Sequence, residues 1–303
     1  MSSQTPEPVL IEPVLIEGGG LSLSGLVARP QGQARALVVA LHGGGYGAAY
    51  WNSPVPGQSL LALAPQFGFT VLALDRPGYG ASRDADPARL TLERQTQDLF
   101  DVIEAWTAKA AFTGPVFLIG HSIGGILALM MAADPRALAL SGIDVLGVPF
   151  RFPEDGGGLL VRNLAARPGD PATMPKEDLQ RYLLFGPEGS YPPEAFDHHA
   201  RCVSATPAAE YQDGLAAPAI WPRVLPAIRL PVQFTLAEFE TMQCTGWPIL
   251  EEVRALLADS PCARVDLQRG SGHDASLHHI ARAYHLRALA FFDERLALDV
   301  HRP

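Results

Sequence analysis

Residues 116–133 read Val116-Phe117-Leu118-Ile119-Gly120-His121-Ser122-Ile123-Gly124-Gly125-Ile126-Leu127-Ala128-Leu129-Met130-Met131-Ala132-Ala133. A short apolar run is followed by a glycine-flanked serine and then by a stretch rich in Ala, Leu and Met. The run suits a strand buried on both faces and the stretch suits a helix, so the residues between them must turn sharply. Such a turn holds Ser122 in a strained conformation with its hydroxyl exposed, and Gly120 and Gly124 are small where neighbouring backbone crowds the turn. The following helix points its N-terminal dipole at any anion forming beside Ser122. A bare Gly-x-Ser-x-Gly also arises by chance, and it is the strand before and the helix after that make it chemically informative.

The same alternation continues outward. Short apolar runs at Ala36 to Leu41, Thr70 to Leu74 and Ala139 to Val148 flank the central one, and Leu92 to Lys109 places Leu99, Val102, Ile103 and Trp106 at helical spacing. The order βαβα predicts a doubly wound, mostly parallel sheet. Ahead of it, Glu7 to Ile11 and Glu12 to Ile16 form a short tandem repeat of β-branched character, and Gly20 to Arg29 alternates apolar and small polar residues. Together they predict an antiparallel edge hairpin. After Val148 the alternation stops. Residues 149–228 are rich in Pro, Gly and aromatics, with short helical stretches near Lys176 to Phe185 and Pro193 to Val203, and read as a helical cap inserted between core segments 1–148 and 229–303. Strands return at Val232 to Leu236 and Arg264 to Leu267, and Leu277 to Leu298 reads as a closing helix with a bend or break.

Composition narrows the function. The 303 residues carry a formal net charge of -9 and no Lys/Arg stripe able to neutralise a phosphate backbone, which argues against a nucleic-acid partner. Met1 to Pro8 lacks the basic and apolar regions of a signal peptide, and no apolar stretch is long enough to span a bilayer; the expectation is a cytoplasmic protein without a membrane partner. Cys202, Cys244 and Cys262 are far apart and read as reduced thiols, and His198-His199 near Cys202 has poor spacing for a metal.

Upstream of the serine, Leu41-His42-Gly43-Gly44-Gly45-Tyr46-Gly47 follows a strand and offers free backbone amides without the Lys-Ser/Thr ending of a phosphate-binding loop. Two amides aimed at one developing oxygen charge form an oxyanion hole, assigned to Ile123 and Gly44, with Gly43 or Gly45 as alternatives to the latter. These residues, followed by Asp75-Arg76-Pro77-Gly78-Tyr79-Gly80-Ala81-Ser82 and then Gly120 to Gly125, resemble the α/β-hydrolase superfamily over nearly the whole chain outside the cap.

The resemblance implies the α/β-hydrolase fold and the chain order nucleophile, acid, histidine. Ser122 is then the nucleophile. The histidine falls in Gly270-Ser271-Gly272-His273-Asp274, while His278 and His279 read as surface residues. The acid should follow Val232 to Leu236, where Ala237-Glu238-Phe239-Glu240 departs from the family's G-x-x-D. Glu240 occupies the acid position, Glu238 is the alternative, and Asp144 is a third because some relatives move the acid to an earlier strand. Asp75 is given a structural role.

The implied activity is hydrolysis of a carboxylic ester or thioester of a small to medium, largely apolar molecule through an acyl-enzyme on Ser122, with no metal or organic cofactor. Carbon-carbon bond hydrolysis, lactonase or acyltransferase activity uses the same residues, and a non-catalytic small-molecule receptor is the alternative of another kind. Homodimers are common among such enzymes. Phe150, Phe152, Tyr182, Phe185, Tyr191, Phe196, Tyr211 and Trp221 supply aromatic surface, to be divided between a pocket roof and the cap's own core.

Overall fold

Residues 36–41, 69–74 and 116–121 are buried along their whole length, so these strands must lie inside a sheet covered on both faces. The computed structural model describes residues 9–154 and 157–299. It shows one eight-stranded sheet: β1 (Ile11–Gly18), β2 (Leu21–Ala28), β3 (Ala36–Leu41), β4 (Phe69–Leu74), β5 (Val116–His121), β6 (Gly142–Leu146), β7 (Val232–Ala237) and β8 (Ala263–Gln268), in the spatial order β1-β2-β4-β3-β5-β6-β7-β8. The β1–β2 and β2–β4 pairs are antiparallel and all others parallel. The edge hairpin closes at Gly18↔Leu21, and Glu7 and Pro8 of the tandem repeat lie outside the described residues.

The period of two in a strand sorts the core into two layers. Leu37, Val39 and Leu41 of β3 join Leu72, Leu74 and Leu118 on one face, while Val38 and Ala40 join Phe69, Val71, Phe117 and Ile119 on the other. The longer helices are α1 (Leu92–Lys109), α2 (Ile123–Ala133), α3 (Pro193–Cys202), α4 (Ala208–Ala216), α5 (Trp247–Leu256) and α6 (Ala281–Asp299). Helices α1, α2 and α5 cover the first face, and α6 covers the second with Tyr284, Phe291 and Phe292. Burying a side chain such as Leu or Phe contributes about 1.5–3 kcal/mol, so both layers are needed to hold the sheet.

Some boundaries differ from the sequence reading. The strand expected over Ala139 to Val148 is shorter, because Asp134 caps a 3-10 turn over Pro135–Ala139 and Gly147, at φ +68°, bends the chain out of the sheet. The closing helix begins at Ala281, after a separate turn at Ala275–Leu277. His278, read as a surface residue, is fully buried against the Phe185 ring. Helix α5 has no counterpart in the sequence reading, although Ile249, Leu250 and Val253 form its buried stripe.

Between β6 and β7 the chain leaves the sheet and forms α3, α4 and shorter turns, tied together by bridges from Ala172 to Ala165 and Thr206. Of its aromatic residues, Phe152 and Tyr211 face the cavity described below. Phe185, Tyr191 and Phe196 pack on one another, Trp221 is buried in the first core layer, and Tyr182 is exposed. Among the described residues no helix is long and apolar enough to cross a membrane.

Candidate active site

Ser122 lies at the end of β5 with φ +52° and ψ -118°, a conformation that L side chains rarely adopt. The glycines around it explain how the turn is held. A Cβ on Gly120 would come within 2.5 Å of the Gly124 carbonyl oxygen, and one on Gly124 within 2.2 Å of the Leu41 carbonyl oxygen. The start of α2 is thereby pressed against the end of β3. The first amides of a helix have no intrahelical acceptor, so the Ile123 N–H starts α2 beside Ser122 without one.

His273 follows β8, the edge strand three places from β5 in the sheet and parallel to it. The loop after β8 is stitched in place: the Gly270 amide donates to Glu238 Oε2 at 2.8 Å, the Phe239 amide to the Ser271 carbonyl at 2.9 Å, and the Asp274 amide to the Leu184 carbonyl at 3.0 Å. The imidazole packs on Gly147, where a Cβ would meet its Cε1 at 3.0 Å. Its Nδ1 lies 2.9 Å from Glu240 Oε2 and donates to it, which leaves Nε2 as the acceptor. Burial works against a cation there, but the Glu240 charge and hydrogen bond, with a further contribution from Asp274, outweigh it and raise the pKa of His273 above the 6.5 of a free imidazole.

The three acidic residues weighed from sequence take different places. The Glu240 side chain is wholly buried on His273, and its Oε2 also accepts from Gln243 Nε2 at 3.2 Å. Glu238 is exposed and spent on the Gly270 amide. Asp144 lies in the middle of β6, where it accepts from Gln233 Nε2 at 2.6 Å and the Tyr284 hydroxyl at 2.8 Å. Asp75 accepts from Ser24 Oγ and the Ala48 amide, a structural tie between loops.

Ser122, His273, Gly44 and Ile123 line one cavity of about 110 Å³, roofed mainly by apolar residues such as Phe152, Met174, Leu183 and Met242. Among the three glycine amides considered for the oxyanion hole, that of Gly45 is taken by the Tyr79 hydroxyl at 3.0 Å. Behind the cavity lies a buried polar cluster that the sequence did not announce. Tyr46 donates to Asp274 and meets His199, whose Nε2 contacts Gln180 Oε1 at 2.7 Å. His121 Nε2 donates to the His273 carbonyl at 3.1 Å. Burial raises Asp274 to about 7 and keeps His121 neutral. His198 and Cys202 contact each other at 3.5 Å, and His198 Nε2 donates to the Ala49 carbonyl. Among the described residues no group of three or more His, Cys, Asp or Glu is placed to hold a metal ion.

Comparison with known proteins agrees with this architecture. A thermophilic esterase from Thermogutta terrifontis superposes with a TM-score of 0.67 at 18% identity, over 94% of this chain and 99% of the esterase. A carboxyl esterase from Bacillus coagulans gives 0.65 at 16% identity, over 94% and 99%. At these identities the likeness is one of fold. In sequence, the chain is 32% identical to mouse (Mus musculus) protein phosphatase methylesterase 1 over 118 residues, 38% of this chain and 29% of the methylesterase. It is also 32% identical to phospholipase YtpA of Bacillus subtilis over 111 residues, 36% and 38% respectively. The matched stretch thus spans well under half the length of these curated relatives. The profile of the alpha/beta hydrolase family matches residues 38–289, and the chain belongs to that family.

Proposed function

We propose that the protein is a serine hydrolase acting on carboxylic esters or thioesters with a short, apolar acyl group. The observation that carries this reading is a strained serine facing the same cavity as a histidine whose far nitrogen is bound by a buried carboxylate. His273 Nε2 accepts the Ser122 proton as Oγ bonds to the acyl carbon, and the carbonyl oxygen takes up the charge beside the Gly44 and Ile123 amides. Collapse of the tetrahedral adduct breaks the bond to the leaving alcohol or thiol, which receives that proton from His273. Water, deprotonated by the same imidazole, then releases the acid. Glu240 holds the Nδ1–H tautomer throughout and stabilises the transient cation. The esterase, methylesterase and phospholipase relatives are consistent with ester chemistry.

The cavity limits the acyl group. An apolar cavity of ~150 Å³ accommodates benzene, so 110 Å³ suits an acyl chain of only a few carbons. On a panel of p-nitrophenyl esters and acyl thioesters, kcat/KM for butyrate should exceed that for laurate by at least about tenfold, since misfit of even one methylene is worth ~10-fold or more. A fluorophosphonate should add one label, found by mass spectrometry on the peptide containing Ser122. A folded protein that neither turns over the panel nor takes the label is a binder, and the hydrolase reading then fails.

The pH dependence follows from His273. Only the neutral imidazole can accept the serine proton, so kcat/KM should fall as pH drops through its pKa, and the midpoint of that limb should lie above 6.5. A limb centred well below that value, in a pH series on any cleaved ester, would contradict the buried Glu240 contact.

A further inference from the structure

The peptide unit joining Gly43 to Gly44 is held by its oxygen. That carbonyl accepts from His42 Nδ1 at 2.7 Å and from Arg76 Nη2 at 3.2 Å. His42 Nε2 accepts the Arg76 amide at 3.1 Å, which places the imidazole proton on Nδ1, and burial together with the Arg76 charge keeps the ring neutral. Arg76 Nε donates to the His42 carbonyl at 2.8 Å. The guanidinium thus grips two successive carbonyls of the glycine loop.

The other edge of that guanidinium meets Glu210 on α4, 134 residues away, through bonds of 2.7 and 2.9 Å, with both side chains fully buried. Gln95 bridges the pair, accepting from Arg76 Nη1 at 2.9 Å and donating to Glu210 at 2.8 Å. The Tyr79 hydroxyl donates to Glu210 at 2.7 Å and accepts the Gly45 amide. Every donor of Arg76 is used, and Glu210 accepts four bonds.

A trans peptide is planar and carries its N–H opposite its C=O. With the Gly43 oxygen fixed on the Arg76 side, the Gly44 N–H is directed to the other edge of the same plane. The Gly45 amide is already spent. We propose that the Arg76–Glu210 ion pair positions the oxyanion donor: it aims the Gly44 N–H at the oxygen of the reacting acyl group and ties that aim to the seating of α4 above the cavity. A buried ion pair is by itself a weak source of stability, because an apolar pair of similar volume fills the space as well. An apolar pair cannot donate to the carbonyls of His42 and Gly43, and that is the function assigned here. The inference rests on the hydrolase reading and adds Arg76 and Glu210 to it as positioning residues.

The test uses two variants. The double substitution Arg76→Met with Glu210→Leu removes both charges together, so neither is left buried and alone. Arg76→Lys keeps a cation for Glu210 but loses the planar fork that reaches two carbonyls. After active-site titration with the fluorophosphonate, each is assayed on a short-chain ester and on its thiono analogue. In the thiono ester, sulfur, a larger and weaker acceptor, replaces the oxygen that the amide would hold. We expect kcat on the ester to fall by about 10- to 100-fold with KM within about threefold, part of the ~10²–10³ that one oxyanion donor supplies. The ester-to-thiono rate ratio should fall by a similar factor, and the inhibition constant of a trifluoromethyl ketone should rise with it. A purely structural role would lower ester and thiono rates equally per titrated site; an unchanged ratio in either variant therefore overturns the proposal and leaves the hydrolase reading intact. Should the wild-type protein fail to take the label, both fall together.

Discussion

Glutamine in place of Glu240 is expected to lower kcat by about four orders of magnitude while leaving the protein folded, the size of effect seen when the carboxylate of such a triad is neutralised without changing its shape. The amide can turn its N–H to His273 Nδ1 and so hold the wrong tautomer, and it offers no charge to the imidazolium that the proposed mechanism requires. The pH profile should change as well. In the wild-type protein burial lowers the pKa of His273, and the Glu240 charge and hydrogen bond more than reverse it. Without them burial is opposed by Asp274 alone, so the acid limb of kcat/KM should move to lower pH even as the plateau drops. Glu238→Gln is the matched control. Its side chain is exposed and only accepts the Gly270 amide, a bond that glutamine can also make, so kcat should stay within about threefold. Steady-state kinetics across pH on all three proteins decides the matter. If Glu240→Gln keeps more than about a tenth of the activity while Glu238→Gln loses it, the carboxylate has been misassigned.

The contrast between these two glutamates shows what the sequence made legible. Both follow the same strand and both reach the histidine loop, and only the fold shows that Glu240 meets the imidazole while Glu238 accepts the Gly270 amide. Local pattern was enough wherever a single segment carried the information. The buried runs of β3 and β5, the amphipathic spacing of α1 and the glycine-bounded turn at Ser122 each depend on neighbours within a few residues. Where two distant segments had to be brought together, pattern was silent. Arg76 and Glu210 are 134 residues apart, and Tyr46 and Asp274 are separated by 228, so neither pair has a spacing to recognise. His278 illustrates the same gap, since only the fold reveals that Phe185, from the stretch between β6 and β7, covers it. The shortened ends of β6 reflect a local cap and a positive φ, details that an apolar run does not carry.

The second large effect concerns the seat of α2. Gly124→Ala is expected to destabilise the fold by about 3 kcal/mol, at the upper end for an overpacked core site. The added Cβ would stand 2.2 Å from the Leu41 carbonyl oxygen and 2.5 Å from that of His42, both backbone atoms that cannot swing aside as a side chain would. Relief requires α2 to move away from the end of β3, and α2 begins with the Ile123 amide next to Ser122. Stability and chemistry should therefore fail together: a displacement of about 1 Å at a reacting group is worth roughly 10²-fold in rate. Gly189→Ala tests the logic, because an added Cβ there meets nothing within 4 Å, although its φ of +85° is strained for alanine. It should lower stability through backbone strain, by about 1–2 kcal/mol, and leave kcat unchanged. Denaturant unfolding combined with kcat separates the two mechanisms. A Gly124→Ala protein with wild-type stability and turnover would mean that β3 and α2 are not in contact where the elbow requires them to be, and the strained geometry of Ser122 would lose its support.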